Sequence, residues 1–202
     1  MFHLTAEDEG YPPWLADRAP NVRLRGAAAC LARPPVALLA SRRCPGALIL
    51  AIGTWADAWA ARAGDGAPTL ASGFQTPVER EVLRRLLRGT APVARFPARA
   101  LPVRLAAAER AAIETGRLVL ASSFPLSQRR PSADLAHRRN KLLAEVARAA
   151  LILHAAPDSN TYAWAEAAAA HGLPLHTLDH PANAPLLDLG ATLLPDNPHH
   201  LL

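Results

Sequence analysis

The stretch AHRRNKLLAEVARAALILHA, residues 136–155, decides the fold class of this chain. It opens with polar and basic residues, continues with apolar residues at helical spacing, and ends in a continuous apolar run from Ala149 to Leu153. This order predicts a loop, then a helix that begins at Arg139-Asn140-Lys141, then a strand that is buried on both faces. A helix that leads into a buried parallel strand is half of an α/β unit.

The same pattern recurs along the chain. Further strands are predicted at 36–40, 68–71, 90–96, 118–121 and 173–178, with 22–26 as an edge strand or extended lead-in. Helices are predicted at 46–62, 78–88 and 106–115 and in the alanine-rich stretch that ends at His171. Because strands and helices alternate, we expect an α/β fold with a doubly wound, mainly parallel sheet. We expect residues 1–35 to be a lead-in packed on the domain, 36–191 the domain, and 192–202 a tail.

The basic residues are distributed unevenly. The chain of 202 residues has a formal net charge of +5, but residues 1–148 hold all 22 Lys and Arg against 12 acids, whereas residues 149–202 hold 5 acids and no Lys or Arg. A basic region of this size favours a polyanionic partner such as a nucleic acid, although a free nucleotide would need only one or two of the arginines.

The composition argues against several other classes of protein. Two cysteines, Cys30 and Cys44, do not make a zinc site, and no secretory signal opens the chain, so we expect a cytoplasmic protein. The longest uncharged apolar stretch, residues 44–56, has 13 residues. A membrane-spanning helix needs about 20, so we expect no membrane association.

The candidate site residues follow the predicted strands and open the predicted helix. In a doubly wound sheet, ligands bind outside the carboxyl ends of the strands. The residues at those positions are hydroxyl, amide, glycine, aromatic or cationic: Ser41, Arg42, Ser72, Gly73, Phe74, Ser122, Ser123, Arg139, Asn140, Lys141 (the only lysine), Ser159, Asn160 and Thr161. Such polar groups hold phosphate oxygens well and transfer protons poorly at neutral pH. For residues 139–141, an ordinary capped and solvated helix start remains the alternative.

No catalytic or cofactor motif is present. The sequence contains no G-x-G-x-x-G, no G-x-x-x-x-G-K-[ST], no G-x-S-x-G and no His or Cys cluster at metal-ligand spacing. We therefore assign no catalytic residue, metal or cofactor, and favour a binding protein over an enzyme. His154, at a strand end, is either a packed, hydrogen-bonded residue or a member of the site.

Taken in order, these motifs resemble those of the DprA/Smf DNA-processing family, whose Rossmann-like domain belongs to the SLOG group. The resemblance runs from about Tyr11 to Ala191. Its segments are VALLASR (36–42), LASGF (70–74), LASSFP (120–125), RNKLLA (139–144), LILHA (151–155) and SNT (159–161). The chain departs from the family pattern at Ala40, at residues 75–78, at His154 and at Asn160.

The resemblance implies a three-layer Rossmann-like fold and binding of single-stranded DNA, in a short member without the family's winged-helix domain. Arg42, Arg139 and Lys141 would hold phosphates, Ser72, Gly73 and residues 159–161 would donate hydrogen bonds, and Phe74 would stack on a base. It also implies a role in DNA uptake or recombination, a RecA-type recombinase as partner, and compatibility with a homodimer.

Two other functions remain open. One is a SLOG-type pocket that senses or processes a nucleotide or nucleotide-sugar, and the other is a scaffold whose polar turns are only structural. The arrangement of the basic residues discriminates between binding of a nucleic-acid strand and binding of a nucleotide. Alignment of Arg80, Arg84, Arg88 and Arg129 with Lys141 along an open groove would favour a nucleic-acid strand, whereas convergence on a closed pocket would favour a nucleotide.

Overall fold

The computed structural model describes residues 3–62 and 68–194, which form one sheet of eight strands flanked by helices. The strands in chain order are β1 (Arg23–Gly26), β2 (Val36–Ala40), β3 (Leu70–Ser72), β4 (Val93–Arg95), β5 (Leu118–Ser122), β6 (Ala149–His154), β7 (Leu175–Thr177) and β8 (Thr192–Leu193). Their order across the sheet is β1-β5-β4-β3-β2-β6-β7-β8. Only β1 runs antiparallel to its neighbour among these strands. The predicted doubly wound, mainly parallel α/β sheet is confirmed.

Helices cover both faces of the sheet. They are α1 (Pro13–Arg18), α2 (Gly46–Ala60), α3 (Pro77–Leu86), α4 (Ala107–Glu114), α5 (Ala133–Val146), α6 (Asn160–Ala170) and α7 (Ala184–Asp188). Side chains alternate along each strand, so β2 sends Leu38 into a core beneath α2, α3 and α4, and Leu39 into a second core beneath α1, α5 and α6. The three layers bury apolar residues on both sides, which accounts for the continuous apolar strands.

The direction of winding reverses at β2. From β2 the chain proceeds through β3, β4 and β5 on one side, and then crosses back along α5 to β6, which pairs with β2 on its other side. The carboxyl ends of β2 and β6 are therefore the switch point, where doubly wound sheets bind their ligands.

The start of α5 differs from the prediction. The helix begins at Ala133, and the Ser132 side chain caps it by accepting a hydrogen bond from the backbone N–H of Leu135 (3.2 Å). Pro131-Ser132 followed by Asp134 is a sequence signal for a helix start. The polar and basic residues that follow it also resemble a helix start, which made the true one harder to recognise. The prediction that Arg139-Asn140-Lys141 open a helix with free N–H groups is wrong, because these residues lie two turns inside α5.

The flanking segments contribute to the sheet. The predicted lead-in supplies β1, which pairs with β5, and the predicted tail supplies β8, which pairs with β7. The rest of that tail, residues 195–202, lies outside the described residues. Across the described part of the chain, no helix combines the length and apolarity that a membrane span requires.

Tyr11 should make stability sensitive to alkaline pH. Its hydroxyl is buried and donates to the Val22 carbonyl (2.9 Å), and burial raises the pKa of Tyr11 to about 12. An unfolded tyrosine loses its proton near pH 10, so Tyr11 contributes stability below about pH 10 that is lost as the pH rises through about 12. Urea unfolding across this range should show the decline, and Tyr11→Phe should flatten it. Tyr162→Phe is the control, and an unchanged profile in Tyr11→Phe would refute the assignment.

Candidate anion-binding site at the switch point

A cavity of about 290 Å³ lies at the carboxyl ends of β2, β3 and β6; we call it the switch-point cavity. Helices α3, α5 and α6 complete its wall. Its lining residues include Ala40, Ser41, Arg42, Ser72, Gly73, Gln75, Thr76, Glu79, His137, Arg139, Asn140, Ser159, Asn160 and Thr161. Nine of the thirteen candidate residues named from the sequence therefore share one cavity; Phe74, Ser122, Ser123 and Lys141 do not line it.

Two serines join the ends of β2 and β6. The Ser41 hydroxyl donates to Ser159 Oγ (2.8 Å) and accepts from the backbone N–H of Ala156 (3.2 Å), while the Ser41 backbone N–H donates to the His154 carbonyl (2.9 Å). Ser159 Oγ also accepts from the N–H of Tyr162 (3.1 Å), so that the Ser159 side chain caps the start of α6. The Ser159 hydroxyl proton is thus available to a ligand at the cavity wall.

The start of α6 supplies free backbone donors. The N–H groups of Asn160 and Thr161, the first two helical residues, donate no hydrogen bond within the described part of the chain. Both residues line the cavity. Free N–H groups and the positive end of the helix dipole at a helix start favour an anion. The helix start with free N–H groups at the cavity is therefore that of α6, not the one predicted in α5.

Gly73 makes room for Arg139. A Cβ atom at Gly73 would lie 1.0 Å from Arg139 Nη1 and 2.0 Å from its Cζ, so no larger residue fits while Arg139 keeps its place. The next residue, Phe74, has a φ of 49°, a left-handed conformation that is uncommon for a bulky side chain. The turn after β3 is thus shaped around the guanidinium group.

Arg139 is a buried cation beneath the cavity, with only 5% of its surface exposed. Its guanidinium donates to the Phe96 carbonyl (2.9 Å), to Gln75 Oε1 (3.2 Å) and to Asn140 Oδ1 (2.7 Å). Burial lowers the pKa of Arg139 to about 10, and the nearby Glu79 carboxylate opposes this shift. Arg139 is therefore still charged at neutral pH, and its hydrogen bonds hold the loop after β3 against α5.

Glu79 is the buried acid of the site. One carboxylate oxygen accepts from the backbone N–H of Ala40 (3.0 Å), and the other accepts from those of Gln75 (2.8 Å) and Thr76 (3.2 Å). The Thr76 side chain in turn accepts from the Glu79 N–H, which completes a capping box at the start of α3. Glu79 thereby ties the end of β2 to the loop after β3.

Arg42 is the exposed cation of the cavity lining. Lys141 lies on the exposed side of α5 and does not line the cavity. Phe74 is only 3% exposed and packs in the core beneath α3, so the expectation that its ring stacks on a base does not hold in this conformation. An aromatic ring stabilises the fold more when it is buried in the core than when it is exposed at the site.

The arginines of α3 do not align with Lys141. Helix α3 packs on one core and α5 on the other, so the two helices cover opposite faces of the sheet. On α3, Glu81 forms ion pairs with Arg84 (2.5 Å) and Arg85 (2.8 Å). This surface is therefore an ion-paired helix face, and it does not belong to any groove that includes Lys141.

His154 belongs to a buried polar cluster next to the cavity. Its Nδ1 lies 3.0 Å from Asn183 Oδ1, and the Asn183 amide donates to the carbonyls of Leu153 (3.1 Å) and Leu178 (3.2 Å). The packed, hydrogen-bonded interpretation of His154 is the one that fits these contacts.

Three functional neighbours were missed from the sequence: Gln75, Thr76 and Glu79. Thr76 and Glu79 have the T-x-x-E spacing of a capping box, which was available as a signal. Nothing in the local sequence shows that Glu79 also reaches Ala40, 39 positions away.

No protein-family model matches the sequence, and no curated protein is significantly similar to it. Among solved structures, DNA processing protein A (DprA) from Streptococcus pneumoniae is similar, with a TM-score of 0.74 at 16% identity over 99% of this chain and 73% of that chain. DprA from Helicobacter pylori, a single-stranded DNA-binding protein, is similar with a TM-score of 0.71 at 17% identity over 99% of this chain and 93% of that chain. The described residues therefore form a DprA-like Rossmann domain, which confirms the fold that the ordered motifs predict.

Proposed function

We propose that this chain binds single-stranded DNA through its phosphates at the switch-point cavity. The observation that carries the proposal is the set of free donors in one small cavity: the N–H groups of Asn160 and Thr161, the Ser159 hydroxyl and the Arg42 guanidinium. Such groups are suited to the oxygens of a phosphate. The likeness in fold to the DNA-binding Helicobacter pylori protein supports this choice of ligand.

Arg42 and Arg139 have different roles in this proposal. Arg42 is exposed and can approach a phosphate directly, whereas the buried Arg139 adds positive potential from below and keeps Gln75 in place. Since both oxygens of the Glu79 carboxylate already accept from backbone N–H groups, Glu79 is a structural acceptor in this proposal. The function is binding, with no residue assigned to bond making or breaking.

A role in DNA processing and recombination belongs to the same proposal. It rests on the resemblance of the sequence motifs to the DprA/Smf family, as do a RecA-type recombinase partner and a homodimer. Each of these is a hypothesis that requires its own test after binding of single-stranded DNA has been measured.

The second candidate is a nucleotide or nucleotide-sugar ligand. A specific observation favours it: the cavity is small, about 290 Å³, and lies at the ends of three adjacent strands. This volume is at the lower end of the range for small-molecule pockets. A mononucleotide that binds as tightly as an oligonucleotide would favour this candidate over a strand.

The binding prediction concerns Arg42. At low salt, anisotropy of a labelled oligothymidylate should show binding that weakens steeply as salt is added, because neutralised phosphates release counterions. Arg42→Ala should weaken binding about tenfold and reduce the salt slope by about one, as for the loss of one phosphate contact. Arg88→Ala removes the same charge from an exposed position just beyond α3 and should have little effect. Absence of wild-type binding at low salt would refute the proposal, and equal effects of the two variants would remove Arg42 from the site.

A further inference from the structure

A larger depression lies between α5 and α6, on the face of the sheet opposite α3; we call it the α5–α6 groove. Its volume is about 860 Å³, against 290 Å³ for the switch-point cavity. Several of its lining residues have small side chains, among them Ala144 on α5 and Ala163 and Ala167 on α6. Because alanine side chains are short, the space between the helices stays open.

The groove is continuous with the switch-point cavity. His137, Asn140 and Asn160 line both. A ligand held by the start of α6 can therefore extend along α6 without leaving the protein surface. At 1.5 Å per residue, the 11 residues of α6 give a path of roughly 16 Å.

The charges along the groove favour a polyanion. Arg18, Lys141 and Arg148 line it, against the single acid Glu145. Arg148 Nε is buried and has no hydrogen-bond partner within the described residues. The only lysine of the chain, which does not line the cavity, thus lies beside a groove that opens from it.

Trp164 provides an aromatic wall in the same groove. Its ring is partly exposed, and Nε1 donates to the Asn140 carbonyl (2.8 Å), so the orientation of the ring is tied to a residue of the cavity. Aromatic side chains beside a basic path are the usual platform for the bases of a single strand, and they tolerate any sequence.

We propose that the α5–α6 groove receives successive nucleotides of the strand whose phosphate occupies the switch-point cavity, with bases against Trp164 and phosphates near Lys141 and Arg148. This inference rests on the proposed function. It adds the path of the DNA strand along the protein surface and the helices that hold the strand. The continuity with the cavity and the excess of cations favour a nucleic acid over an apolar protein helix.

The test compares oligomer lengths in two matched variants of α6. Ala167 lines the groove and Ala170 does not, and both are exposed. Ala167→Glu places a negative charge in the path of the strand, so affinity for an oligothymidylate of about 12 nucleotides should fall about tenfold. Affinity for a dinucleotide, which fills only the cavity, should change less than twofold, and Ala170→Glu should behave as wild type.

Tryptophan emission supplies a second readout. Bound oligomers should quench the emission of Trp164, and Trp164→Phe should remove this quenching while keeping an aromatic surface and most of the affinity. Quenching that persists in Trp164→Phe would contradict the path.

The outcomes separate the two proposals. If wild-type protein binds both lengths and Ala167→Glu weakens neither, the inference is wrong and the cavity proposal stands; the groove would then suit another occupant, such as a protein helix or a second copy of this chain. If wild-type protein binds no DNA at low salt, both proposals are wrong.

Discussion

Gly73→Ala should destabilise the protein by about 3 kcal/mol and abolish ligand binding at the switch-point cavity. The added methyl group would lie 1.0 Å from Arg139 Nη1, so the guanidinium must leave its bonds to Phe96 and Gln75. A buried cation without its partners is costly, and the displaced side chain has the cavity as its nearest free space. Urea unfolding and oligonucleotide anisotropy measure the two effects.

Space, not backbone conformation, is the reason for glycine at position 73, because its φ lies outside the left-handed range. Gly46→Ala is the matched control, since a Cβ at Gly46 meets nothing within 4 Å. It should leave the free energy of unfolding within about 0.5 kcal/mol of wild type. Arg139→Ala combined with Gly73→Ala should cost less than the sum of the two single changes, because the clash is absent once the guanidinium is removed. A stable Gly73→Ala protein with normal binding would refute this packing.

Glu79→Ala should lower the free energy of unfolding by about 3 to 5 kcal/mol. The substitution removes the acceptor of three backbone N–H groups, those of Ala40, Gln75 and Thr76, and also removes the buried negative charge that partly offsets Arg139. Glu79→Gln should fall between Ala and wild type, because one amide oxygen remains an acceptor while the amide nitrogen faces N–H donors. Urea unfolding at neutral pH measures the differences.

Glu81→Gln is the control on the same helix. Glu81 is partly exposed, and its hydrogen bonds to Arg84 and then to Arg85 lower its pKa to about 2. Exposed ion pairs contribute little, so this change should cost no more than about 1 kcal/mol. If Glu79→Ala cost no more than Glu81→Gln, the structural role assigned to the Glu79 carboxylate would be wrong.

The sheet was predictable because its strands lie in the core on both sides. β2 and β6 are buried at every position, and apart from His154 at the end of β6 their sequences are uninterrupted apolar runs of strand length, which favour strands buried on both faces. The short end strand β8 was not predicted: its two residues are exposed and carry no apolar pattern, and only pairing with β7 makes them a strand. The start of α5 was predicted too late because the polar and basic run at residues 137–141 resembles a helix start, whereas a single Ser132 cap is a weaker signal.

The site was predictable in its location but not in its internal contacts. Ser41, Ser72 and Ser159 follow apolar strands, so the alternation of strands and turns alone brings them to one edge of the sheet. The different roles of Arg139 and Lys141 could not be read from their closeness in the sequence. Positions two residues apart on a helix point about 200° apart, so one cation enters the core and the other faces the α5–α6 groove.

The amino-acid pattern by itself determined the doubly wound α/β architecture and the edge at which polar residues gather, because both depend on local periodicity and on the polarity of short turns. Only the tertiary structure decided which charges are buried and which are free. It placed Arg139 over Gly73, Glu79 against Ala40 and Lys141 beside a groove. These contacts join residues far apart in the chain, and the free energy of a buried charge depends on the partners that surround it in the folded protein.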